Sequence, residues 1–176
     1  MINPPVILWF RNDLRLADNP ALNKAVKTSI KENRKIICIY IFENYTNFSS
    51  NYGSASKWWL HGSLKNLDED LTKLNKEKIS SSLNIFKGNP KTIILNLCKK
   101  YKSHNVFWNR RYETEHVNRD KEIKIQLKNN NVYVKTFCGS ILIEPWNVLG
   151  KQEQRLKVFT PYKNSLINNH TIHQPI

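Results

Sequence analysis

Short runs of consecutive apolar residues alternate along the chain with stretches in which apolar residues recur every three or four positions. The first run, Val6–Phe10, contains no polar residue, which is typical of a strand buried on both faces of a sheet. Four later runs predict strands over 35–42, 83–87, 105–109 and 132–137. The spacing of these runs leaves room for one helix in each connection.

Helical periodicity is clearest over 58–74, where leucines at spacings of four and three residues form one apolar stripe (Leu60, Leu64, Leu67, Leu71 and Leu74). Further helices are predicted after Asp18-Asn19-Pro20, where Asn caps the first turn and Pro takes its first position, and over 91–100 and 116–128. Strands that alternate with helices imply right-handed crossovers. The fold class is therefore α/β, with a five-stranded, mainly parallel sheet covered by helices on both faces.

Polar residues follow three of the predicted strands directly. The segments are Phe10-Arg11-Asn12-Asp13, Phe42-Glu43 and Asn109-Arg110-Arg111-Tyr112-Glu113. Because the carboxyl ends of parallel strands meet at one edge of the sheet, where ligands bind, we expect these segments to lie together. Aromatic rings stack on a flat heterocycle, and Asn and Arg donate hydrogen bonds to ring carbonyls or a phosphate. This chemistry suits a pigment.

The same polar residues also have structural interpretations. Asp13, Arg15 and Asp18 are expected to form a buried ion-pair network that fixes the loop after the first strand. For Arg11 and Asn109, contact with a ligand and pairing within the protein are equally compatible with the sequence. Arg110-Arg111, which lies beside aromatic residues, also fits a nucleic-acid patch, and we rank that function below pigment binding.

Composition sets bounds on the function. A chain of 176 residues suits one domain, and its formal charge of +14 favours anionic partners, although an A/T-rich gene explains the many lysines equally well. The sequence contains no Gly-x-Gly-x-x-Gly, P-loop or Gly-x-Ser-x-Gly motif, so the usual dinucleotide, NTP and serine-hydrolase sites have no support. The pair His170-x-x-His173 lacks a third ligand, and no metal site is predicted.

Cysteine usage indicates a reducing compartment. Cys38, Cys98 and Cys138 are widely spaced and odd in number, which favours free thiols, and Cys38 lies in an apolar run that predicts a core position. Neither a targeting peptide nor a run long enough to cross a bilayer is recognised. We therefore expect a cytoplasmic protein without membrane contact.

Four segments, in this order, resemble the DNA photolyase/cryptochrome family. They are the segment from Trp9 to Leu22, the segment from Lys57 to Leu71, Asn109 to Glu113 with Arg119-Asp120, and the segment from Lys157 to Lys163. The resemblance implies a Rossmann-like strand order and covers only the amino-terminal α/β domain of that family. It implies a domain over 1–140, the start of an interdomain linker over 141–176, and absence of the helical domain that holds FAD.

In that family the α/β domain carries a light-harvesting antenna chromophore. An 8-hydroxydeazaflavin or FMN would be held at positions matching Arg11, Asn12, Phe42, Asn109 and Arg110, with Phe10 at the same edge. A methenyltetrahydrofolate would be held near the domain boundary, where folate-binding members have an Asn-Glu pair. This chain has Glu115-His116 at those positions, which weakens that form of the folate site.

The resemblance predicts the antenna domain of a photolyase-like DNA repair protein. The full-length parent would split pyrimidine dimers in blue light by electron donation from reduced FAD, and this chain alone is expected to be inactive. Its expected partners are the helical FAD-binding domain and, through the parent, damaged DNA, with the chain itself a monomer. The alternatives are a stand-alone nucleotide-binding protein and a cryptochrome-like signalling module that docks a protein through Trp58, Trp59 and the basic tail.

Overall fold

The computed structural model describes residues 3–43, 53–74, 83–150, 154–171 and 174–176. Within them, five parallel strands form one sheet in the order β3-β2-β1-β4-β5. The strands are β1 (Val6–Phe10), β2 (Ile36–Phe42), β3 (Asn84–Lys87), β4 (Asn105–Asn109) and β5 (Tyr133–Phe137). This order places β1 at the centre and reverses direction between β1 and β4, which confirms the predicted Rossmann-like α/β fold.

The helices follow the strands in the alternation that the sequence predicts. They are α1 (Pro20–Glu32), α2 (Ser54–Lys73), α3 (Pro90–Tyr101), α4 (Thr114–Asn129) and α5 (Phe159–Asn169), with a short 3-10 helix over Pro145–Asn147. The predicted caps are present: the side chains of Asn19 and Asn89 accept hydrogen bonds from the first backbone N–H groups of α1 and α3, and Pro follows each.

The central strand separates two apolar layers. Val6, Leu8 and Phe10 face a cluster that includes residues of α1 and α2, whereas Ile7 and Trp9 face a cluster that includes residues of α3 and α4. All five β1 residues are at most 1% exposed. Helices therefore cover both faces of the sheet, and the uninterrupted apolar run at the start of the chain follows from this burial.

Two helices differ from their predictions. Helix α2 begins at Ser54, four residues before the predicted start, and its first turns lie on the surface, with Trp58 and Trp59 75% and 72% exposed. Leu64, Leu67 and Leu71 of its leucine stripe are buried, whereas Leu60 is partly buried against the same core and Leu74 is exposed. Helix α5 lies within the segment predicted as linker and buries none of its residues.

The sequence also contains a long connection over 44–56, of the kind that often forms a lid at the carboxyl end of a strand, and most of it lies outside the described residues. In the part of the chain that is described, none of the helices has the length and apolarity needed to cross a bilayer.

Candidate functional site

The loop between β1 and α1 is fixed by a buried polar network centred on Asn109, the last residue of β4. Its Nδ2 donates to Asp13 Oδ2 at 2.5 Å and to Asn19 Oδ1 at 2.7 Å, and its Oδ1 accepts from the backbone N–H of Ala21 at 3.2 Å. Asn109 is 2% exposed. Both amide protons of Asn109 are thus used within the protein, and the side chain positions the loop.

Arg15 connects this loop to the residues after β5. Its Nη2 donates to the backbone oxygens of Asp18 and Gly139, at 2.8 and 2.6 Å. Arg15 and Asp18 are both exposed, and the Asp13 carboxylate accepts from Asn109 and from the backbone N–H of Arg11. The predicted buried ion-pair network of Asp13, Arg15 and Asp18 is therefore wrong: backbone oxygens satisfy Arg15, and amide groups satisfy Asp13.

Arg11 lies at the carboxyl end of β1 and is 4% exposed. Its Nη1 donates to Asp120 Oδ2 at 2.6 Å and to the Asn109 carbonyl at 3.4 Å. Burial lowers the pKa of Arg11, and the neighbouring Asp120 opposes that effect. Among the described residues, its Nε and Nη2 have no hydrogen-bond partner, so this buried guanidinium has unused donors.

Trp9 forms an aromatic wall beside Arg11. The guanidinium carbons of Arg11 and Arg119 lie 4.6 and 5.3 Å from the centre of the Trp9 ring, within cation–π range. Arg119 also pairs with Glu43 of the β2 end and, at 2.9 Å, with Asp120. Two cations and two carboxylates thus surround one indole in a cluster without net charge.

Three spaces open around the end of β1, and all are bordered by Arg11 and Asn12. A cleft of about 420 Å³ lies towards β4 and also borders Asn109 and Arg110. A second cleft of about 490 Å³ lies towards α2 and borders Trp59. The third is a cavity of about 10 Å³ that borders Trp9 and Glu43.

Arg110 and Tyr112 border the cleft towards β4, and Glu144 holds both of them in place. Arg110 Nε and the Tyr112 hydroxyl both donate to Glu144 Oε1, at 2.6 and 2.9 Å. Partial burial raises the pKa of Tyr112 above its usual range, and its hydrogen bond to Glu144 adds to that effect. The ring of Tyr112 lies 5.8 Å from that of Trp146, so this side of the cleft is tied to the short 3-10 helix.

The predicted site residues fall into two groups. Arg11, Asn12, Asn109 and Arg110 meet around the cleft towards β4. Phe10 is fully buried in the layer shared with α1 and α2, and Phe42 packs against the same layer. The aromatic wall at the carboxyl edge of the sheet is instead formed by Trp9, which lies on the face of β1 opposite to Phe10.

The positions proposed for folate lie apart from these clefts. Glu115 is exposed on the first turn of α4, whereas His116 is 4% exposed. Burial lowers the pKa of His116 from 6.5 to about 4, and the positive charges of Arg111 and Arg119 lower it further. His116 is thus neutral at pH 7 and lies beside the cationic part of the cluster.

Sequence reasoning missed Trp9 and Asp120 as site residues. Alternation along β1 places Phe10 and Trp9 on opposite faces, and nothing in the run itself states which face carries the site. Asp120 has a signal in the sequence, because Arg119-Asp120 is one of the segments that carries the family resemblance. Arg119 and Asp120 are neighbours on α4, and there Arg119 lies against the Trp9 ring while Asp120 pairs with Arg11.

Metal binding has no support in the described ranges, where no group of three or more His, Cys, Asp or Glu residues is arranged to hold an ion. Of the predicted pair His170-x-x-His173, the second member lies outside the described residues.

Comparison with known proteins gives one consistent result. The family model described as DNA photolyase matches residues 6–176. The deoxyribodipyrimidine photo-lyase of Agrobacterium fabrum is 34% identical over 171 residues, which cover 97% of this chain and 33% of that protein. The chain thus spans about a third of the length of such relatives.

Solved structures agree with the sequence match. The crystal structure of a bacterial class III photolyase from Agrobacterium tumefaciens superposes with a TM-score of 0.84 at 34% identity, covering 99% of this chain and 34% of that one. An archaeal photolyase from Sulfolobus tokodaii, described with two FAD molecules and as implying a novel light-harvesting cofactor, gives 0.71 at 24% identity, covering 97% and 36%. At 24% identity, the similarity to the Sulfolobus tokodaii structure shows a shared fold and nothing more specific.

Proposed function

This chain belongs to the DNA photolyase family, and from that membership we propose that it is the antenna domain of a photolyase-like protein and binds a light-absorbing heterocycle. The observation that carries the proposal is the convergence of three spaces on Arg11 and Asn12, at the point where the strand order reverses. In open α/β sheets that point is where ligands bind. When bound, the pigment supplies absorption in the near ultraviolet or blue and passes the excitation on.

The residues at this edge fit such a ligand. The two larger clefts fall within the size range of ordinary small-molecule sites, roughly 300 to 1,000 Å³. Arg11 has donors without a partner in the described chain, and a ligand with acceptor atoms would satisfy them. Asn12 is exposed at the mouth of both clefts, whereas Asn109 orients the loop that carries Arg11 and Asn12.

The geometry favours a flavin or deazaflavin over a folate held at Glu115 and His116. Three of the positions predicted for a flavin or deazaflavin, Arg11, Asn12 and Arg110, border one cleft. Glu115 points to solvent and His116 is buried, and neither borders the clefts described above. Phe10 and Phe42 act in this proposal as core residues that support the edge.

The remaining assignments follow from the family and are proposals for the whole protein. Residues 1–140 would form the antenna domain and 141–176 the start of a linker to a helical FAD-binding domain, present in the same chain or in a separate one. The exposed Phe159 and Ile167 of α5 support a contact of that kind. The parent would be a cytoplasmic monomer that binds damaged DNA and splits pyrimidine dimers in light.

The test is an absorption and fluorescence spectrum of the chain, purified in the dark from a host supplied with folate and deazaflavin. A protein-bound band in the near ultraviolet or blue supports antenna binding, and its position identifies the pigment. A chain that stays colourless after reconstitution with FMN, 8-hydroxydeazaflavin and methenyltetrahydrofolate would contradict the proposal. A rise in melting temperature with ATP would then favour a nucleotide-binding protein.

The exposed amino-terminal half of α2 supports a second candidate, a cryptochrome-like docking module. Trp58 and Trp59 are both largely exposed, and the helix carries Lys57 and Lys65 but no acidic residue before Asp68. Two exposed indoles on adjacent positions are typical of a binding surface. A pull-down that loses its protein partner on Trp58→Ser, and keeps it on Tyr101→Ser at another exposed ring, would favour this function.

A further inference from the structure

We propose that Arg11 forms a socket for one carbonyl oxygen of the bound heterocycle, an inference that rests on the proposed function and specifies what its site recognises. The socket is the cavity of about 10 Å³ at the end of β1, bordered by Trp9, Arg11, Asn12, Tyr40, Glu43 and Arg111. A volume of that size holds about one water molecule, and therefore one oxygen atom. It is too small for a phosphate.

The unused donors of Arg11 lie on one edge of its guanidinium. Nη1 is occupied by Asp120 and the Asn109 carbonyl, which leaves Nε and Nη2 without a partner in the described chain. Nε and Nη2 point their N–H bonds in parallel, in the arrangement with which arginine binds a pair of acceptors or a single oxygen from two sides. The side chain is 3% exposed, so these donors are already withdrawn from water.

The charges around Arg11 favour a neutral acceptor. Arg11 and Arg119 are balanced by Asp120 and Glu43, with Asp120 bonded to both arginines, and Arg111, which also borders the cavity, pairs with Glu113 at 2.7 Å. A bound phosphate or carboxylate would add an uncompensated negative charge to this buried cluster, which is costly in a medium of low dielectric constant. A carbonyl oxygen accepts both N–H groups and leaves the charge balance unchanged.

The socket adjoins the cleft of about 420 Å³, with which it shares Arg11, Asn12 and Arg111. A flat ring in that cleft would direct its oxygen at the Nε–Nη2 edge. Cation–π contact with Trp9 and the bond to Asp120 hold the guanidinium plane in place, so the direction of the donors is set before the ligand arrives.

The experiment follows the Arg11 Nε–H signal by NMR in arginine-labelled protein while riboflavin, FMN, methenyltetrahydrofolate or uracil is added. The signal is assigned from its loss in Arg11→Lys or, if that variant does not fold, from backbone connectivity in the wild type. We expect riboflavin and FMN to shift the signal alike, and 2-thio- or 4-thioriboflavin to bind at least about tenfold more weakly, since sulfur is larger and a weaker acceptor.

Matched variants separate the socket from general effects. Arg11→Lys keeps the charge and removes the paired donors, and riboflavin should bind to it at least about tenfold more weakly. Arg34→Lys, at the opposite end of the sheet, should leave the affinity unchanged. Equal riboflavin affinity of Arg11→Lys and wild type, or loss of FMN affinity alone, would overturn the socket while leaving the pigment site intact.

Failure of the proposed function gives a different pattern. If none of the pigments binds but uracil, a small carbonyl heterocycle, shifts the Arg11 signal, the socket stands and the antenna proposal fails. If no pigment binds and millimolar uracil leaves that signal unmoved, both are overturned, whereas a pigment that binds without moving the signal overturns the socket alone.

Discussion

Arg11 of β1 and Asp120 of α4 form a buried ion pair, with 2.6 Å between Nη1 and Oδ2 and with both side chains at most 6% exposed. The pair links the central strand to the helix that follows β4. Trp108 Nε1 donates to the same carboxylate oxygen at 3.2 Å, so one oxygen serves two buried donors. Asp120 therefore holds the Arg11 guanidinium and Trp108, whose ring packs against Trp9, in one arrangement.

Replacement of Asp120 by Asn should lower the free energy of unfolding by about 3 kcal/mol, because it leaves a buried guanidinium without its counter-charge. Urea unfolding at pH 7 measures the change. Asp70→Asn provides the control, since Asp70 pairs with Lys73 at 3.0 Å on the surface and its loss should cost less than about 0.5 kcal/mol. Equal effects of the two substitutions would show that the buried pair has no special role.

Asn109→Ala should destabilise the chain by about 2 to 3 kcal/mol, since it leaves Asp13, Asn19 and the Ala21 N–H without the partner that Asn109 provides. Thermal unfolding gives the size of the effect. Asn118→Ala, at an exposed position of α4, serves as control and should change stability by less than about 0.5 kcal/mol. A neutral Asn109→Ala would contradict a loop-fixing role.

Gly139 should not tolerate a side chain. A Cβ at this position would lie 2.5 Å from Asn109 Cγ, so Gly139→Ala must displace the network and should cost roughly 1 to 3 kcal/mol. The same substitution at Gly62 meets no atom within 4 Å in helix α2 and should stabilise by about 0.5 to 1 kcal/mol. Melting temperatures that move in the same direction for both variants would refute this account.

His116 should make the fold sensitive to mild acid. Its pKa is lowered from 6.5 to about 4, so between these values the unfolded chain binds a proton that the folded chain does not. Stability therefore falls as pH decreases, by about 2 kcal/mol at pH 5 for this one group. His116→Gln should lose less stability between pH 7 and pH 5 than wild type.

The matched variant for this pH effect is His61→Gln, at an exposed position of α2. Measurements above pH 5 exclude a contribution from Glu113. Its hydrogen bonds with Arg111 lower its pKa to about 2, so its protonation changes the stability only in stronger acid. Parallel stability curves for wild type and His116→Gln would rule out His116 as the source.

Local patterns account for the parts of the fold that could be predicted. Consecutive apolar residues in β1, the Asn-Pro starts of α1 and α3, and the order of strands and helices all follow from short-range physics, and the structure confirms them. The first turns of α2 were missed because Ser54 to Lys57 carry no apolar stripe. Helix α5 was missed because it buries no residue and so leaves no periodic signal.

The site was predicted as a location and less well as a set of contacts. The edge follows from the polar residues after each strand, and Arg11, Asn12, Asn109 and Arg110 do meet there. Which face of β1 carries the aromatic wall depends on how α4 packs, and pairings such as Arg11 with Asp120 join residues far apart in sequence. Periodicity cannot report either property.

The Trp9 and Trp108 rings lie side by side on β1 and β4, with centroids 5.6 Å apart and planes inclined by 62°. We expect two buried indoles at that separation and angle to couple their electronic transitions and to contribute a paired positive and negative band to the ultraviolet circular dichroism spectrum. The exposed Trp58 and Trp59 sit in water and lack a rigid partner of this kind. The unmodified chain thus carries an optical signature of its own, and that signature reports the geometry of the aromatic wall and not that of the surface.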